Sequence, residues 1–152
     1  MTEYALPAGE NRVISAATAA IELEVVPADE VEAGTPSQGI VELGAIGGCE
    51  AGIWELRAGT VTDTEVDELF VVLSGSAVIE MLDEGSRVEV QAGDVMRLVA
   101  GTRTRWIVED HIRQGLLAEP TILMERFKQD PAFQEFGGLR YLADLVDRAP
   151  PA

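Results

Sequence analysis

Positive charge is scarce in this chain. Lysine occurs once, at Lys128, so arginine supplies nearly all of the 11 basic residues, and these face 27 acidic ones. The formal net charge of −16 repels phosphate backbones and anionic lipid, which argues against nucleic acid and membrane surfaces as partners. One cysteine, Cys49, excludes an internal disulfide, and one histidine, His111, excludes a three-histidine metal centre. The same two counts argue against zinc fingers and against Ser-His-Asp or Cys-His catalysis in their ordinary forms. No apolar run approaches the ~20 residues of a membrane helix. The start of the chain carries Glu3 and Glu10 and lacks a basic stretch followed by an apolar core, so the expected location is cytoplasmic. No GxxxxGK[ST] or GxGxxG occurs, so no phosphate loop is expected.

What the chain does have is enough apolar sequence for a core. Hydrophobic residues make up 47% of 152, the length of one domain, and a chain this size buries roughly 68–70% of its unfolded surface. Ile21, Leu23 and Val25 alternate with Glu22 and Glu24, as in a strand with one buried face. A polar loop from Pro27 to Gln38 follows. From Gly39 to about Leu117, short apolar stretches alternate with turn residues such as Ser74-Gly75-Ser76, Asp83-Glu84-Gly85-Ser86 and Ala92-Gly93-Asp94. Many short strands at ~8–12-residue spacing predict an all-β sandwich or small barrel. After Glu119 the pattern changes. Asp130-Pro131 reads as a helix start, and Leu139, Leu142, Leu145 and Val146 fall at helical spacing before Pro150-Pro151.

Two blocks stand out: GTVTDTEVDELFVVLSG over Gly59–Gly75 and GDVMRLVAGTRTRW over Gly93–Trp106. In the first, Glu68 is followed by six residues and Gly75. In the second, Gly93 is followed by five residues and Val99-Ala100-Gly101. Together they resemble the two motifs of the cupin superfamily, with valine where the second motif has proline. Gly52-Ile53-Trp54-Glu55 and Arg105-Trp106 resemble one branch in particular, the ureidoglycine aminohydrolase cupin-domain subfamily. The resemblance implies an all-β fold: a single cupin β-barrel (jelly roll, or double-stranded β-helix) over residues 21–118. An N-terminal arm over 1–20 precedes it, and a short helical C-terminal extension over 119–152 follows.

Metal-binding members of the superfamily place two histidines six and four residues before the glutamate and a third in the second motif. Here those positions are Thr62, Thr64 and Thr104, or Val61 and Asp63 if the first motif has one extra residue. One carboxylate with three hydroxyls is a poor transition-metal site. No metal and no cofactor are therefore expected, and the manganese chemistry of the aminohydrolase does not carry over.

Counting by twos from Glu68 places Thr62, Thr64, Phe70 and Val72 on its face, and Asp63, Glu65 and Asp67 on the opposite, solvated face. Because the resemblance turns the glutamate inward, the expected lining is Thr62, Thr64, Phe70, Thr104 and Trp106 around Glu68. Arg97 interrupts an apolar strand. It either points inward, to pair with Glu68 or an anionic ligand, or lies on the outer face. Glu68 is the candidate general acid or base, since an apolar surrounding raises a carboxyl pKa.

Three functions follow. One is a metal-free, degenerate-site cupin that binds a small, partly apolar molecule. A second is a metal-independent isomerase, lyase or cyclase acting through Glu68. The third is a structural or accessory assembly protein. A homodimer is expected, since the alternating strand around Ile21–Val25 needs covering.

Overall fold

The computed structural model describes residues 4–119. The helical extension expected after Glu119 lies outside the described residues. Among those described there is no α-helix, and the one helical element is a 3-10 turn at Ala28–Glu30. No helix among them is long and apolar enough to cross a membrane.

Eight strands form one antiparallel sheet: β1 (Glu24–Val25), β2 (Val31–Ala33), β3 (Ser37–Ile46), β4 (Cys49–Thr64), β5 (Glu68–Met81), β6 (Ser86–Gln91), β7 (Val95–Leu98) and β8 (Arg103–Ala118). The order is β1-β3-β4-β8-β5-β6, with β2 added to β4 and β7 to β5. The short strands read from the turn signals are thus partly joined: β4 and β8 run 16 residues each and β5 runs 14.

These long strands bend at register shifts, between Arg57 and Gly59 in β4 and between Val72 and Val78 in β5. Each therefore serves two half-sheets. The first holds β3, Cys49–Arg57, His111–Ala118, Glu68–Val72 and β7. The second holds β2, Gly59–Thr64, Arg103–Val108, Ser76–Met81 and β6. Their inner faces meet in one apolar cluster that includes Leu56, Phe70, Val72 and Ile112 from the first half and Val61, Ile79, Val90 and Trp106 from the second. Gly75 permits the bend in β5. Its φ is +74°, and a Cβ there would run into the His111 carbonyl.

The all-β expectation holds, but the closed barrel does not. The sheet is an open roll, with β1 and β6 at the two ends of its order. Strand count and turn spacing say how many strands exist, while closure depends on which edges pair. The edge strands β1, β2 and β7 have only two, three and four residues, and β6 carries exposed Arg87, Glu89 and Gln91, devices that leave an edge unpaired.

The N-terminal residues cover part of the outer face of the first half-sheet. The Ala5 and Leu6 amides donate to the Glu42 and Leu43 carbonyls, and the Glu22 carbonyl and Ile21 side chain abut Gly39. The expected strand over Ile21–Val25 shrinks to Glu24–Val25, both exposed, and the buried residue is Val26.

Candidate functional site

The interior polar site forms where β4 ends and β5 begins. Residues Glu65-Val66-Asp67 connect them, and backbone bonds pin this connection to the turn before β8. The Glu65 amide donates to the Thr102 carbonyl at 2.8 Å, and the Gly101 amide donates to the Glu65 carbonyl at 2.9 Å. Asp67 Oδ1 accepts from the Ala100 amide at 3.0 Å. This framework turns the Glu65 side chain inward. Its Oε1 accepts from Thr104 Oγ1 at 2.7 Å and from Trp106 Nε1 at 3.0 Å. Thr104 is fully buried, and Glu65 and Trp106 nearly so. Burial pushes the Glu65 carboxyl up from its ordinary range, while the two donors pull it back.

Glu68 opens β5 on the same interior face as Phe70 and Val72, which are buried. Directly opposite residues of an antiparallel pair share a face. Glu68 and Glu50 both stand opposite Ala118, so they flank that small residue from either side. Gln114, opposite both Val72 and Trp54, reaches Glu68 with an Nε2–Oε1 distance of 3.1 Å. Burial, then the charges of Glu65 and Asp63, push the Glu68 carboxyl up to about 8, against the Gln114 donation. Glu68 is therefore mostly protonated at neutral pH. Burial also raises Glu50.

Gln114 is 2% exposed, yet its Oε1 has no hydrogen-bond partner among the described residues. An orphaned buried acceptor is costly, so it marks a place for a donor. Trp106 packs edge-on to Trp54 at 5.4 Å between ring centroids and tilted to Phe70 at 5.8 Å. These rings form the apolar wall beside the carboxyls.

Of the candidates expected from the sequence, Glu68, Phe70, Thr104 and Trp106 come together. Thr62, Thr64 and Arg97 do not. Asp63 stands opposite Thr104 and Val61 opposite Trp106, so the inward positions of β4 are the odd ones. Thr62 turns toward the Glu30 carbonyl, and Thr64 is exposed. Arg97 is exposed and stands opposite Leu69, whose side chain is also on the outer face. The count by twos fails because it crosses the break between Thr64 and Glu68, where the alternation restarts. That break moves Glu65 from the expected solvated face to the centre of the site. Glu50 and Gln114 were missed as well, since their roles come from cross-strand register.

The metal of the metal-binding cupins that the sequence resembles does not fit these residues. No group of three or more His, Cys, Asp or Glu is placed to hold an ion among the described residues, and the Thr104 hydroxyl is spent on Glu65. Two clefts elsewhere, of about 410 and 280 Å³, contain neither Glu65 nor Glu68.

Residues 43–115 match the family model of the EutQ-like cupin domain. The fold is similar to that of EutQ from Clostridium difficile, with a TM-score of 0.51 and 20% identity over 64% of this chain and 80% of that one. It is similar to ethanolamine utilization protein Q from Salmonella typhimurium LT2, with a TM-score of 0.50 and 20% identity over 68% and 98%. A protein of unknown function from Pseudomonas syringae pv. tomato, described as belonging to the DUF861 family, gives a TM-score of 0.58 at 16% identity over 66% and 45%. None of the curated proteins compared with the chain matches it. The narrower resemblance to the ureidoglycine aminohydrolase branch finds no specific match. The matched stretch and these structures together show a cupin-like, jelly-roll type of fold.

Proposed function

We propose that this chain binds a small, partly apolar molecule between its two half-sheets, without a transition metal. Glu65, Glu68 and Gln114 supply the polar contacts, and Phe70, Trp54 and Trp106 supply the apolar wall. The observation that carries this reading is the buried Gln114 Oε1 beside Glu68, which accepts from no described residue and belongs to a side chain at the position opposite Trp54, whose ring packs on Trp106. Native mass spectrometry of the tag-free protein as purified tests it. A bound mass that disappears on denaturation and in Gln114→Leu supports the reading. An empty site that also takes up no member of a small-molecule library by Trp fluorescence overturns it.

A second reading is a metal-independent isomerase, lyase or cyclase. What favours it is Glu68, a carboxyl that titrates near 8 and so holds a transferable proton at neutral pH. Glu68→Gln separates the two readings. A binder weakens its hold on the ligand and has no turnover to lose, whereas an enzyme loses turnover by a factor of about 10²–10⁴.

The proposed assembly is a homodimer. Supporting it, Leu69, Val71, Val95 and Leu117 lie on three adjacent strands of the outer face and are 37–64% exposed. Light scattering should give twice the 16.3 kDa chain mass, and a monomer mass refutes it.

A further inference from the structure

Glu65 and Glu68 of the interior site have no arginine or histidine bonded to them among the described residues. Glu68 is faced by Glu65 from the connection, by Asp63 from the end of β4, by Glu50 across Ala118, and by Gln114 from β8. From β7 it meets apolar Leu98. Glu65 is met by Thr104 and Trp106, both neutral donors. The described arginines are placed elsewhere. Arg12, Arg57, Arg103, Arg105 and Arg113 are in ion pairs with other carboxylates, and Arg87 and Arg97 are exposed. His111 bonds to Asp110 and Ser74.

An acidic cluster alone is a poor argument for a ligand, because carboxyls can protonate. Gln114 is the independent observation. Its Oε1 is buried, accepts from no described residue, and belongs to the same amide whose nitrogen meets Glu68. The site thus offers oxygen acceptors of two kinds, carboxyl and amide, and the donors around Glu65 are already used. An anion would meet carboxyls on every side. A neutral alcohol brings one O–H and leaves acceptors unfilled, whereas an ammonium group brings three donors and a charge.

We propose that the molecule bound here is a small organic cation, a protonated primary amine, with its ammonium group among Glu65, Glu68 and Gln114 Oε1 and its hydrocarbon part against Phe70 and Trp106. This rests on the reading that the interior binds a small molecule at all. The indole of Trp106 adds a face that attracts a cation. When the ammonium arrives, Glu68 ionises, the amide nitrogen donates to it, and the amide oxygen accepts from the ligand. The Glu68 proton leaves to solvent, so one cation enters as one proton departs, and site charge is conserved. The position of the Glu68 titration is consistent with this exchange.

Matched probes test the proposal: n-butylamine, n-butanol and butyrate, then benzylamine, benzyl alcohol and benzoate. Binding is read at pH 7 by ligand-observed NMR and Trp fluorescence. The amines should bind at least ~10-fold more tightly than the alcohols of the same skeleton, with butyrate and benzoate weakest. Calorimetry in buffers of different ionisation enthalpy should show close to one proton released per amine at pH 7, falling toward none above pH 9. Glu68→Gln should remove the proton release, and Gln114→Leu should weaken amine binding without restoring carboxylate binding. Circular dichroism confirms that each variant is folded. If the alcohols or carboxylates bind as well as the amines, the interior is a ligand site but the cation assignment fails. The cation assignment also fails if no probe binds while a native ligand of another class is found in the purified protein. If no probe binds and the purified protein is empty, both readings fall.

Discussion

The indole N–H of Trp106 donates to the same Glu65 oxygen that accepts from the Thr104 hydroxyl, at 3.0 and 2.7 Å. One carboxyl thus satisfies two buried donors from successive inward positions of β8. Glu65→Ala leaves Trp106 Nε1 only the Thr104 hydroxyl at 3.2 Å and Thr104 only the Asp63 carbonyl at 3.5 Å, and should cost about 2 kcal/mol of stability, since a poorly satisfied buried polar group costs roughly 1–3 kcal/mol. Glu65→Gln keeps an acceptor and should cost about 1 kcal/mol or less. Chemical denaturation checks this. Equal losses in the two variants would mean that the bonds to Glu65 contribute little.

Stability should fall as pH rises through neutrality, the reverse of the usual behaviour of salt-bridged carboxylates. Glu68 loses its proton near 4.5 when unfolded and near 8 when folded. Between those values the folded state holds more protons, so its advantage is complete below about 4.5 and is lost as pH climbs through 8. Glu50 and Glu65 are shifted in the same direction. The denaturation midpoint should therefore be lower at pH 8.5 than at pH 5.5, and the drop should shrink in Glu68→Gln. An identical drop in the variant would place the titration on other groups.

Within a strand, the sequence pattern was a sound guide. Glu68, Phe70 and Val72 share a face as the alternation requires, and Thr104 and Trp106 share the facing one. The same rule failed for Thr62 and Thr64, because a three-residue connection resets the alternation and nothing in residue type marks the reset. Gln114 and Glu50 were illegible for another reason. Each lies next to Glu68 only through the pairing of β8 with β4 and β5, and register is a property of two strands. Closure had the same limit: β1, β6 and β7 lie in stretches read as strands and β2 falls in the expected polar loop from Pro27 to Gln38, and the partners of none of them could be read.

A buried charge pair ties the N-terminal segment to the outer face. Arg113 donates to the Ala16 and Ala19 carbonyls and to Glu55, at 2.9, 2.5 and 3.3 Å, and both side chains of the pair are almost fully buried. Arg113→Met should cost about 3 kcal/mol, at the lower end for a broken buried pair because Arg57 still holds Glu55 at 2.9 Å. Hydrogen exchange should quicken in residues 16–19, where the capping bonds are lost. Adding Glu55→Leu should recover part of the stability, since it removes the carboxylate left short of a partner. Unchanged exchange in that segment would show that Arg113 does not hold it.

Gly75 and Gly85 separate the cost of a left-handed backbone from the cost of a clash. Their φ angles are nearly equal, +74° and +70°, but a Cβ on Gly75 strikes the His111 carbonyl and one on Gly85 meets open space. Gly85→Ala should therefore cost only the ~1–2 kcal/mol of the backbone conformation itself. Gly75→Ala adds a collision with the backbone of β8, at the point where β5 bends from one half-sheet into the other. Neither chain can yield there without losing register: the neighbouring Ser74 Oγ already bonds His111 Nε2 at 3.1 Å, and Gly75 itself stands opposite Ile112. The loss should exceed that of Gly85→Ala by at least ~2 kcal/mol, a size typical of overpacking in a filled site. Because the bend sets how the two half-sheets face each other, the change should also alter Trp106 emission, which Gly85→Ala should leave untouched. Equal midpoints and equal spectra for the two variants would mean that the crossing at Gly75 is loose and that the bend does not depend on it.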